Sequence, residues 1–292
     1  YGSYTTSEKR TIDNSQTYYD IPNLRDSIHN LLPDVVMWGV GDEVRWIGNE
    51  NGYSGQTCWS MGDGETGSEY AWMWAAGESD ARSTKGWFWD SNLDNEVKTA
   101  ETLFKMYLET VGRNATLLLN LPPNRAGLID DSVAEQMEAL GDLLDKRLGT
   151  DLAKSATVTA DCTREAMGNG NYEAGNLIDG NKDTYWATPD GSKKAVIELK
   201  WDTPQTVRYV SLMEYIKLGQ RIKKFKIETS EDGVTFTKRG GNQATTTVGY
   251  KRIIPLNGST AEYSTDGYTA KAIRITIENS RSCPLLHTIE VF

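Results

Sequence analysis

Little in this chain offers covalent or metal bracing. Three cysteines in 292 residues (Cys58, Cys162 and Cys283) make no disulfide framework, although two of them could pair. The two histidines, His29 and His287, lie far apart and no Cys-x-x-Cys occurs, so the spacing of a zinc site is missing. No apolar run approaches the ~18 residues of a membrane-spanning helix. No secretory leader is present, and the chain opens on Tyr1-Gly2-Ser3 without a Met, as a processed or truncated polypeptide would. Positive charge is also short. The 31 Lys and Arg against 41 Asp and Glu leave a net charge of −10, which argues against a nucleic-acid backbone as partner. Gly (27) and Pro (8) are too few for a fibrous or disordered chain, and 38% of residues are hydrophobic.

What is present is unevenly spread. Residues 1–150 carry 12 Lys/Arg and 24 Asp/Glu, whereas residues 151–292 carry 19 and 17. Seven of the nine Trp lie in the first half. At roughly 150 residues per domain, two unlike domains are expected, 1–150 and 151–292.

In the first half, Leu24, Ile28, Leu31 and Leu32 recur at helical spacing between Pro22 and Pro33. Val35-Val36-Met37-Trp38 then reads as a strand buried on both faces. The pattern returns downstream. Val97, Ala100, Leu103, Phe104, Tyr107, Leu108 and Val111 form a helical stripe, and Ala115 to Leu121 an apolar strand stopped by Pro122-Pro123. A further helix is expected over 132–148, closed by Gly149. Such alternation implies α/β architecture. Residues 41–92, rich in Gly, Trp, Asp and Glu, read as a long functional loop. After residue 151 the period changes to two: Ala195, Ile197, Leu199 and Trp201 form one alternating set, and Ile273, Ile275 and Ile277 another. Turns such as Glu231-Asp232-Gly233 separate these runs, so an antiparallel β-sandwich or jelly roll is expected.

The segment Asp42-Glu43-Val44-Arg45-Trp46-Ile47-Gly48-Asn49-Glu50 follows directly on the expected strand. Residues just past the C-terminal ends of parallel strands line the active sites of barrels. A carboxylate there, beside an aromatic and a Gly, can act as a general acid. Trp faces suit the apolar face of a sugar ring, and Asn49 and Arg45 suit its hydroxyls. The same charges could equally form a solvated loop.

Together with Thr57-Cys58-Trp59-Ser60, Gly86-Trp87-Phe88, Val111-Gly112-Arg113-Asn114 and Leu117-Leu118-Leu119-Asn120-Leu121-Pro122-Pro123, this segment resembles glycoside hydrolase family 29. The order and spacing resemble the α-L-fucosidase subgroup acting on α-1,3/1,4-linked fucose, over about residues 1–148. The resemblance implies the C-terminal part of a (β/α) TIM-like barrel that hydrolyses fucosylated oligosaccharides with retention and needs no cofactor for catalysis. It places the acid/base on Glu50, which must hold its proton near neutrality; burial against Trp46 or Trp59 could favour that. It places Trp87 against the fucose methyl face, with Arg45, Asn49 and Trp59 as further sugar contacts. Core packing for Trp87 and an ion pair for Arg45 stay open.

The family's nucleophile sits in a Trp-Phe-Asp-Gly motif upstream of the acid/base, and no such motif occurs in this sequence. Asp13, Asp20 and Asp42 are the available stand-ins. An upstream barrel segment of the same protein is therefore the expected partner.

In the second half, Asn176-Leu177-Ile178-Asp179-Gly180-Asn181-Lys182-Asp183-Thr184-Tyr185-Trp186 resembles the coagulation factor 5/8 type C, discoidin-like domain, also classed as a family 32 carbohydrate-binding module. Many such modules hold a structural Ca²⁺, and hard oxygen ligands in a Gly-containing loop suit that ion. The matching positions are Asp179, Asn176, Asn181 and Thr184, with Glu290 near the C-terminus. The resemblance also allows Cys162 and Cys283 to bridge the two ends of the domain, as discoidin-like domains often do. Tyr250, Arg252 and Arg221 could serve a sugar site, which would make a non-catalytic carbohydrate-binding protein the alternative to an enzyme. A glycan substrate implies a periplasmic or extracellular location.

Overall fold

The computed structural model describes residues 4–5, 11–12, 14–38, 43–91, 96–168, 170–258 and 267–292. A two-residue ladder pairs Tyr4–Thr5 with Thr11–Ile12, and helix α1 follows over Ile21–Leu31 with Pro22 in its first turn. The strand expected over 35–38 does not form. Only Trp38 makes a bridge, to Val44, and Val36 is exposed, because among the described residues no second layer covers this segment.

Three parallel strands carry the first half: β1 (Val44–Trp46), β2 (Ala76–Arg82) and β3 (Ala115–Asn120), in that spatial order. Helix α2 (Ala100–Thr110) crosses from β2 to β3, with Thr99 Oγ1 accepting from Thr102 N at its start. Helix α3 (Asp131–Leu148) ends at Gly149. The expected helix at 132–148 and strand at 115–121 thus form nearly as read. Strand β2 lies inside the stretch expected to be loop. Its inward residues Gly77, Ser79 and Ala81 are small and buried, and its outward residues Glu78, Asp80 and Arg82 are half-buried. Neither set shows the large β-branched side chains that announce a strand.

One face of this sheet packs on α2 and α3 through Ala81, Leu103, Phe104 and Leu140. The other face is open: Trp46, Thr116 and Leu118 are exposed on it. Parallel sheets are ordinarily covered on both faces. Among the described residues the strands close no barrel, and the chain is largely sheet.

The second half is a β-sandwich. Its strands are β4 (Thr157–Ala160), β5 (Trp186–Ala187), β6 (Ala195–Val207), β7 (Tyr209–Glu214), β8 (Ile222–Ser230), β9 (Thr237–Lys238), β10 (Arg252–Pro255), β11 (Tyr268–Ser280) and β12 (Leu285–Val291). One sheet runs β9-β8-β11-β6-β4 and the other β10-β7-β12-β5, with every pair antiparallel. The alternating Ile and Leu side chains of β6, β8 and β11 meet Trp186, Leu212 and Ile289 in one core. Trp186 is fully buried, and its Nε1 donates to the Cys162 carbonyl at 3.1 Å. Cys162 and Cys283 are free thiols rather than a bridge. Cys283 Sγ instead lies 2.9 Å from Arg221 Nη1.

The two halves share buried surface. Tyr209, Ile253 and Phe292 of the sandwich join the cluster around α2. Polar bonds reinforce the seam: Cys58 N donates to Thr247 Oγ1 at 2.9 Å, Ser60 N to Gln220 Oε1 at 2.8 Å, and Tyr250 N to Asn114 Oδ1 at 2.7 Å.

Candidate active site

The parallel sheet sends three segments past the C-terminal ends of its strands, and they meet. Glu50 stands four residues beyond β1, Trp87 five beyond β2, and Asn120 closes β3. Trp87 Nε1 donates to Glu50 Oε2 at 3.1 Å, and Asn120 Nδ2 donates to the Trp87 carbonyl at 3.0 Å. The Arg82 guanidinium lies 5.5 Å over the Trp87 ring. Gly48, at φ 102°, and Gly52, at φ 65°, let the intervening loop turn sharply, and the Gly52 Cα faces Met106 and Ala81 with no room for a Cβ. Asn49 shapes the same loop, donating to Tyr53 O at 3.0 Å and accepting from Asn51 N at 3.1 Å.

Glu50 is exposed, and its aromatic neighbour is Trp87 rather than Trp46 or Trp59. An indole N–H only donates, so Glu50 Oε2 is the acceptor of this bond and Oε1 takes no part in it.

The other expected sugar contacts lie elsewhere. Arg45 is buried, its Nε donating to Gly64 O at 2.8 Å, Nη1 to Ala75 O, and Nη2 facing Cys58 Sγ at 3.6 Å. These bonds tie β1 to the 58–75 segment, and Arg45 makes no ion pair among the described residues. Trp59 is buried at the seam with the sandwich, with Arg281 5.6 Å from its ring. Of the stand-in aspartates, Asp13 and Asp42 lie outside the described residues. Asp20 is exposed at the start of α1 and accepts from Asn23 Nδ2 at 2.8 Å.

The open sheet face adds groups that the sequence pattern did not reveal. Trp46 Nε1 donates to Asp80 Oδ1 at 2.6 Å, and register pairs Trp46 with Glu78, putting all three on this face. Partial burial, and then the charge of Asp80, push the Glu78 carboxyl above its ordinary range. The period-2 alternation of charged and small residues over 76–82 is the signal that could have located them.

In the sandwich, the loop after Asn176 brings oxygens together. Asp179 Oδ1 accepts from Asn181 N at 2.7 Å, Asp179 Oδ2 from Thr184 Oγ1 at 2.6 Å, and Thr184 Oγ1 lies 3.1 Å from the Asn181 carbonyl. Asn176 turns its amide to Asn171 O and Tyr185 O. The trio suits a hard cation in chemistry, though it carries a single carboxylate. Glu290 makes no bond to these groups and faces Lys251 Nζ at 3.4 Å. Arg252, one of the expected sugar-binding groups, is fully buried and donates to Ala244 O at 2.8 Å.

The alpha-L-fucosidase family model matches residues 40–147, and the F5/8 type C domain model matches residues 155–288. A Ruminococcus gnavus GH29 fucosidase, solved in complex with fucose, is similar at 30% identity with a TM-score of 0.82, covering 99% of this chain and 59% of that one. Alpha-L-fucosidase 1 of Arabidopsis thaliana is 29% identical, covering 91% of this chain and 53% of its own length. The chain spans about half the length of the curated relatives it matches. Residues 40–147 are therefore an alpha-L-fucosidase family segment, a glycoside hydrolase lineage, and residues 155–288 are an F5/8 type C domain.

Proposed function

We propose that this chain is part of a retaining exo-α-L-fucosidase that removes α-1,3/1,4-linked L-fucose from fucosylated glycans, with Glu50 as its acid/base. The observation that carries the reading is the Trp87 Nε1–Glu50 Oε2 bond at the C-terminal ends of adjacent parallel strands. In such a reaction one carboxylate attacks the anomeric carbon while a second, about 5–5.5 Å away, protonates the departing oxygen. Glu50 Oε1 supplies that proton, and the resulting carboxylate then takes one from the water that resolves the glycosyl-enzyme. The attacking carboxylate belongs to a further barrel segment outside residues 1–292. The open face bearing Trp46, Thr116 and Leu118 supports this, because a parallel sheet exposes such a surface only where another layer is to cover it.

The Asp179, Asn181 and Thr184 oxygens, with the Asn176 carbonyl, would hold a structural Ca²⁺ that stiffens the loop and takes no part in the reaction. Activity on glycans suits a periplasmic or extracellular setting. The test is turnover of an aryl fucoside by a polypeptide that includes the upstream segment. Loss of turnover in Glu50→Ala supports the assignment, and unchanged turnover removes Glu50 from the mechanism.

A further inference from the structure

Four separate segments of the chain bring polar side chains to one cavity of about 290 Å³ on the sandwich, which Met213 of β7 also lines. The linker after α3 contributes Asp151 and Lys154, the 178–182 loop contributes Lys182, the turn before β10 contributes Tyr250 and Lys251, and β12 contributes His287, Thr288 and Glu290. Neither Glu50 nor Trp87 lines it.

The charges there run against those of the whole chain. Lys154, Lys182 and Lys251 face Asp151 and Glu290, a local excess of positive charge in a protein of net charge −10. Lys154 and Lys182 are exposed and make no ion pair among the described residues. Asp151 is already committed, its Oδ1 accepting from Ala153 N at 2.9 Å and Val291 N at 3.0 Å.

Two further groups ask for a ligand that also carries hydroxyls. Glu290 Oε2 is buried and is ion-paired with Lys251 Nζ at 3.4 Å, but accepts no hydrogen bond among the described residues. Buried acceptors are ordinarily hydrogen-bonded, so this oxygen is open to a further donor. His287 holds Thr288 Oγ1 at 2.7 Å through Nδ1, and its Nε2 makes no hydrogen bond among the described residues. A simple anion would satisfy the lysines and repel Glu290. A neutral sugar would satisfy Glu290 and leave the lysines idle. The Tyr250 ring, 53% exposed, stands at the edge and also lines a neighbouring hollow of about 460 Å³ beside Trp74 and Ile216. Such a half-wet aromatic face suits the C–H face of a pyranose.

We propose that this cavity binds an acidic sugar: a pyranose whose anionic substituent meets Lys154 and Lys182, whose hydroxyl donates to Glu290 Oε2, and whose ring lies against Tyr250. The site would hold the protein on acidic glycans, and it does not depend on the role given to Glu50.

The chain's two histidines make the test direct, because the His287 Hε1 proton signal can be assigned by a His29→Gln variant. The whole chain is titrated with methyl β-glucuronide, with the 6-sulfate of methyl β-glucoside, with neutral methyl β-glucoside, and with inorganic sulfate. The expected result is a saturable shift of the His287 signal by one or both acidic sugars. Affinity should fall about tenfold or more for the neutral sugar and in Lys154→Met/Lys182→Met, since each change removes charge-assisted contacts. Whichever acidic probe binds more tightly identifies the carboxylate or the sulfate ester as the recognised group. Both lysines are exposed, so the double variant should fold. Tyr250→Ala should weaken the acidic sugars and leave inorganic sulfate unaffected. The proposal is overturned by no shift with either acidic sugar at about 10 mM, well above a millimolar Kd. It is equally overturned by equal binding of the neutral sugar, by full retention in the double lysine variant, or by inorganic sulfate binding as tightly as the sugars.

Discussion

Asn114 offers a sharp test of how the two halves are joined. It sits just before β3 at φ 63°, a left-handed conformation, and it is buried. Its amide nitrogen donates to Cys58 O at 2.9 Å and lies 3.0 Å from Ser60 Oγ, while its amide oxygen accepts from Tyr250 N at 2.7 Å. Asn114→Ala removes all three contacts. At a net cost of about 1 kcal/mol each, that is about 3 kcal/mol. Alanine also tolerates the left-handed backbone less well, adding about 1 kcal/mol. The expected loss is therefore about 4 kcal/mol, a large fraction of the stability of an ordinary domain. Asn114→Gly relieves the backbone term alone and should recover about 1 kcal/mol of that loss. Urea unfolding of wild type and both variants, followed by tryptophan fluorescence and far-UV circular dichroism, measures the differences. If Asn114→Ala costs under about 1 kcal/mol, or if Gly is worse than Ala, the seam does not depend on this side chain as argued. Asn114 heads the sequon Asn114-Ala115-Thr116, and its buried, bonded amide predicts no glycan there.

Other outcomes follow from the same structure. Glu214 is fully buried, and that burial pushes its carboxyl up to about 7 from an ordinary 4.5, against three backbone N–H donors from Arg221, Ile222 and Gly249. With the folded value raised, its stabilising contribution is complete below about pH 4.5 and is lost as pH rises through about 7. That loss amounts to at most about 3 kcal/mol, and Glu214→Gln should flatten the slope in denaturant midpoints measured from pH 4.5 to 8. Trp87→Phe keeps the ring but removes the donor to Glu50. In a fucosidase-competent polypeptide it should lower kcat about tenfold with little change in KM, and an unchanged kcat would show that the bond is incidental. Gly249→Ala would drive a Cβ into the Asn114 amide, 2.2 Å from its Cγ, and should destabilise the seam as Asn114→Ala does, read by the same urea curves. If the Asp179 loop holds Ca²⁺, excess calcium should raise Tm in wild type and not in Asp179→Ala, and an equal response in both would remove the site.

The sequence determined much by itself. The two-residue period of Ile197, Leu199 and Trp201, and of Ile273, Ile275 and Ile277, required a two-layer sandwich because it left one apolar face on each strand. The stripe through Leu103, Phe104 and Leu108 required a helix with one buried face, and the ordered motifs around Glu50 and Trp87 pointed to a sugar hydrolase before any coordinates. Only the tertiary structure decided the rest. Strand β2 escaped notice because its inner face is built of Gly77, Ser79 and Ala81, whose small size answers to the helices packed above them rather than to any local preference. Val35 to Trp38 look like a buried strand, yet burial needs a covering layer that the described residues do not supply. Arg45 and Trp59 carry the residue types of a sugar site, and Asn114 those of a glycosylation site. Their roles were set by which groups the fold brought against them, 13 to 222 positions away in sequence for Arg45 and Trp59. Local pattern fixes the period and face of an element; long-range contact alone decides whether a polar or aromatic side chain on that face meets solvent, ligand or the other domain.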